Sequence, residues 1–125
     1  MIVQQPTTLG ELSGEVTTRI WELANMFGKS GFPTELSRNI DAWLKVHAIF
    51  VTAISGAIYL AGGDCQRLSR DDAILKLMTK GIREGFKALQ ALGIAITPFP
   101  LKVLFLWCPD AGSLLAQVLC GQSGR

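Results

Sequence analysis

Apolar residues return at helical spacing in three long stretches of the chain, separated by clusters of glycine and proline. From about Thr17 to Ser30, Ile20, Trp21, Leu23, Ala24 and Phe27 recur while Arg19, Glu22, Asn25 and Lys29 fall largely elsewhere. That spacing predicts a first helix, stopped by Gly31. Ahead of it, Pro6, Gly10 and Gly14 break any periodicity, so residues 1–14 read as an extended, loop-rich linker and residues 15–125 as the helical region. Pro33 biases Phe32 away from the helical region, and Phe32–Leu36 reads as a brief extended link.

Asn39 is the expected N-cap of a second helix from Ile40 to about Ala61, ended by Gly62 and Gly63. Between Val46 and Gly63 no Asp, Glu, Lys or Arg occurs, and apolar positions run most of the way round the helix. Such an element is expected to be a central helix buried on nearly all sides. Ser69-Arg70-Asp71-Asp72 resembles a capping box, with Asp72 in the place of the usual Glu, for a third helix from about Arg70 to Leu92 that Gly93 closes. Its apolar side is read as Ile74, Leu77, Met78, Ile82, Phe86 and Leu89, and its solvated side as Lys76, Lys80, Arg83 and Lys87. Pro98 and Pro100 force an extended connection, after which Leu101–Trp107 and Ala111–Cys120 read as short helical stretches needing cover from elsewhere. The fold class expected from this pattern is all-α, a multi-helix domain around one long central helix.

Composition narrows the function more by exclusion than by assignment. With 125 residues, 49% apolar and 18% charged, the chain has ample core material for one domain and no room for a cofactor domain beside a substrate domain. A formal net charge of +2 is too small to call for nucleic acid or an anionic membrane. Cys65, Cys108 and Cys120 form no C-x-x-C pair, which fits a reducing cytoplasm, and the first residues lack the pattern of a secretory signal. A membrane span over Val46–Gly63 is a further reading, diluted by His47, Thr52, Ser55 and the terminal glycines.

Candidate chemistry is sparse. His47 is the only histidine, so no multi-histidine metal site is expected, and an imidazole bonded at the edge of the core is its plainest role. No phosphate-cradling glycine motif occurs. Lys45 follows Trp43 and Leu44 at the entrance of the apolar helix, where partial desolvation would lower its pKa and suit it to donate a proton to a developing oxyanion. The competing reading is a solvated pair with Asp41, four residues earlier. The charges between Asp64 and Lys87 read mainly as helix-surface pairs, and Gly81 and Gly85 as places where another helix could approach.

The landmarks Gln5–Gly14 with its Thr-Thr-Leu-Gly-Glu, Gly31-Phe32, Asn39–Lys45 with its Trp-x-Lys, Ile82–Phe86 and Leu92–Ile94 resemble the second half of the ketopantoate reductase (2-dehydropantoate 2-reductase) family. The resemblance implies a helical C-terminal domain like that of 6-phosphogluconate dehydrogenase, paired in the family with an N-terminal Rossmann domain that binds NADPH. It implies reduction of 2-dehydropantoate to pantoate, on the route to pantothenate, in a cleft between the two domains. It places the family's general acid on Lys45; Ile49 stands where the family often has an asparagine, and the nearby polar His47 is the weaker candidate for a substrate contact. On this resemblance the chain is expected to be a truncated relative that binds no NADPH alone. It is expected to form a homodimer and to work with a Rossmann domain in cis or in trans on a small 2-keto acid. The alternative is a helical association module that has lost the chemistry.

Overall fold

A computed structural model describes residues 6–97 together with 105, 111, 112 and 114. The described chain is mostly helical, in the order β1 (Thr7–Leu9), α1 (Thr18–Lys29), β2 (Thr34–Leu36), α2 (Ile40–Leu60), α3 (Cys65–Arg70) and α4 (Asp72–Ala91). It divides into two compact units, residues 1–44 and 45–125, with α2 starting in the first.

In the first unit the two segments expected to be merely extended pair as a parallel two-stranded sheet, Thr7 opposite Thr34 and Leu9 opposite Leu36. Helix α1 connects them. Thr17 caps it by accepting from the Ile20 N–H, and Gly31 in the left-handed region turns the chain back so that Phe32 N–H reaches the Phe27 carbonyl at 3.0 Å. The rings of Phe27 and Phe32 meet edge to face at that turn, the apolar contact that commonly closes such a cap. Only Ile20 of α1 is buried, whereas Trp21, Leu23, Met26 and Phe27 are exposed. The turn after β1 needs Gly10, because a Cβ there would lie 2.5 Å from the Ser37 carbonyl oxygen.

The second unit is built on α2 and α4. Asn39 caps α2 as expected, its Oδ1 accepting from Ala42 N–H at 3.2 Å, and Gly62 and Gly63 end it with bonds back to Tyr59 and Ile58. The expected burial on nearly all sides is not found. Val46, Ala57 and Ala61 are buried and Ile49, Phe50, Ile54 and Ile58 pack beside them, but Val51, Thr52, Ser55, Gly56, Tyr59 and Leu60 are exposed. Absence of charge does not require burial: the outer face of α2 combines small and hydroxyl-bearing side chains with the exposed apolar Val51 and Leu60. Among the described residues α2 is the one helix long and apolar enough to cross a membrane.

Helix α3 was not anticipated. Its presence moves the start of the next helix: Asp71 closes α3 and caps α4 by accepting from Ala73 and Ile74, so the capping box centred on Ser69 is not formed. The buried face of α4 is Leu75, Met78, Thr79, Ile82, Phe86 and Leu89, while Leu77, expected inside, is 57% exposed. Arg83, expected to be solvated, is half-buried and its Nε–H donates to the Phe105 carbonyl at 2.6 Å. The Phe105 ring lies edge-on to Phe50 and Phe86, with centroids 5.3 and 6.1 Å away. Apart from Phe105, Ala111, Gly112 and Leu114, all helical, the two late helical stretches lie outside the described residues, as do Cys108 and Cys120.

Of the two glycines expected to admit a neighbouring helix, Gly85 does so and Gly81 faces open space. A Cβ at residue 85 would sit 2.6 Å from Ile49 Cγ2 of α2, and Ile49 is β-branched and stiff at that atom. Gly85→Ala should therefore cost roughly 1–3 kcal/mol by overpacking, in spite of the better helix former. Gly81→Ala should stabilise by about 0.5–1 kcal/mol, and urea midpoints of the two variants should move in opposite directions.

Candidate functional site

Lys45 and His47 lie in the second turn of α2, on either side of the buried Val46, and both are exposed. The helix start is fixed by the Asn39 cap, which sets which way each following side chain leaves the axis. At about 100° per residue, positions two apart diverge by roughly 200°, so the lysine and the histidine leave the helix on different sides. The structure therefore does not gather His47 with Lys45. One turn beyond Lys45, Ile49 is engaged with Gly85 and offers no polar contact.

Among the described residues, two open hollows lie in the second unit. The first, of about 800 Å³, is lined by Ser55, Ile58, Tyr59, Gly62 and Gly63 at the C-terminal end of α2, with Tyr59 84% exposed. The second, of about 510 Å³, lies among Asp64, Gln66, Arg67, Arg70, Asp71 and Asp72. Neither is lined by Lys45 or His47. In the second hollow Asp64 and Asp71 each cap a helix through Oδ1, Asp64 accepting from Gln66 and Arg67 N–H and Asp71 from Ala73 and Ile74 N–H. No group of three His, Cys, Asp or Glu side chains that could hold a metal ion occurs among the described residues.

A pyrophosphate is held where a glycine-rich turn leads into a helix N-terminus, with N–H groups and the positive end of the dipole aimed at it. Gly31, Gly62 and Gly93, which take positive φ, stand where α1, α2 and α4 end; Gly63, also at positive φ, leads directly into the Asp64 cap of α3, and Gly14 precedes α1. None of these glycines belongs to a phosphate-cradling motif, and the described residues do not fit a dinucleotide.

The segment Thr7–Gly14, which carries much of the family resemblance, is structurally occupied. Gly10 and Gly14 each approach a backbone carbonyl, of Ser37 and Arg38. The Glu11 carboxylate accepts from Arg19 Nε–H at 3.1 Å and from Thr17 Oγ1–H at 2.7 Å, tying the turn to the start of α1. Sequence reading passed over this cluster, although Glu11, Thr17 and Arg19 recur within a short span. The comparisons add nothing to the assignment: no family model, no curated protein and no solved structure matches the chain.

The Arg19 guanidinium, then the Thr17 hydroxyl, hold the Glu11 carboxyl below its ordinary pKa. A carboxylate whose pKa is lower folded than unfolded adds stability above its unfolded pKa and loses it as pH falls through the folded value. Thermal unfolding followed from pH 6 down to 2 should show a loss below about pH 4.3, the ordinary value for Glu. Glu11→Gln should be less stable at neutral pH and should flatten that part of the profile.

Proposed function

We propose that this chain is the helical, substrate-side part of a cytoplasmic, ketopantoate-reductase-like oxidoreductase, with the domain organisation of the 6-phosphogluconate dehydrogenase C-terminal region. In this reading Lys45 is its general acid. The reading is carried by one observation joined to one resemblance: the lysine of the Trp-x-Lys segment emerges, exposed, from the second turn of a helix whose start is fixed by Asn39. The residue is exposed, and the helix limits where its stem begins.

Reduction of a 2-keto acid to the 2-hydroxy acid adds a hydride at carbon and a proton at oxygen. The chain's own contribution would be at the oxygen, where an ammonium both neutralises the developing alkoxide and supplies the proton. Such help is effective only with the donor held near the reacting atom, which a side chain on a capped helix favours. A Rossmann domain, in cis or in trans, would hold NADPH, and the chain alone would be inactive. His47 is kept as a secondary substrate contact only in the sense that it belongs to the same turn of α2. Two copies are proposed to form a homodimer.

The exposed outer face of α2 supports a second reading, in which the chain is an association module without chemistry. The two part on one measurement. With the NADPH-binding half of a ketopantoate reductase supplied in trans or fused ahead of Met1, NADPH oxidation on 2-dehydropantoate should appear, and Lys45→Ala should lower kcat by about 10²–10⁴. Turnover that survives Lys45→Ala unchanged would leave the association module as the better account.

A further inference from the structure

We draw no further inference here: the strongest candidate, the exposed outer face of α2 around Val51, Ser55, Tyr59 and Leu60, carries none, because nothing among the described residues shows what covers it.

Discussion

Ile49 occupies the space that any side chain at residue 85 would need, and this one contact sets how closely α2 and α4 run. With the two backbones that near, Phe50 and Phe86 both reach Phe105, whose ring stands edge-on to each, and the Arg83 guanidinium can bond the carbonyl of the same residue. Aromatic pairs of this kind add roughly 0.5–1.5 kcal/mol beyond the area they bury. A charge-assisted bond from a half-buried arginine is worth more than a neutral one. A methyl group at residue 85 would therefore disturb more than its own van der Waals contact, because the aromatic cluster and the arginine bond both rely on the spacing it protects.

The helix ends were legible because their chemistry is local. Asn39, Gly31, Gly62 and Gly93 act within four or five residues of themselves, and each stands where spacing alone placed a boundary. What failed was the inference from type to burial. Leu75 and Leu77 have the same side chain two positions apart on α4, and only the packing partner decides that the first is inside and the second outside. On α2 the outer face mixes Thr52, Ser55 and Gly56 with apolar Val51 and Leu60, so the pattern carried no sign of which side met the core. The two strands are too short for alternation to register, and their pairing across an intervening helix is a long-range fact that no window on the sequence contains.

The candidate site was legible to a similar degree. Lys45 could be located at the start of a helix from the Asn39 cap and the following apolar run, and the structure puts it there with its side chain exposed. His47 looked like its neighbour only along the chain; the helical turn sends the two apart. The Glu11 cluster, by contrast, joins residues six and eight positions apart through a turn, a geometry that depends on Gly14 taking a positive φ. Glycine hints at such a turn without saying which side chains it brings together.

Asp71 is the C-cap of one helix and the N-cap of the next. No linker beyond this one residue separates α3 from α4. One residue thereby serves both ends, its backbone N–H bonding back to the carbonyl of the buried Leu68 and its carboxylate holding the first turn of α4.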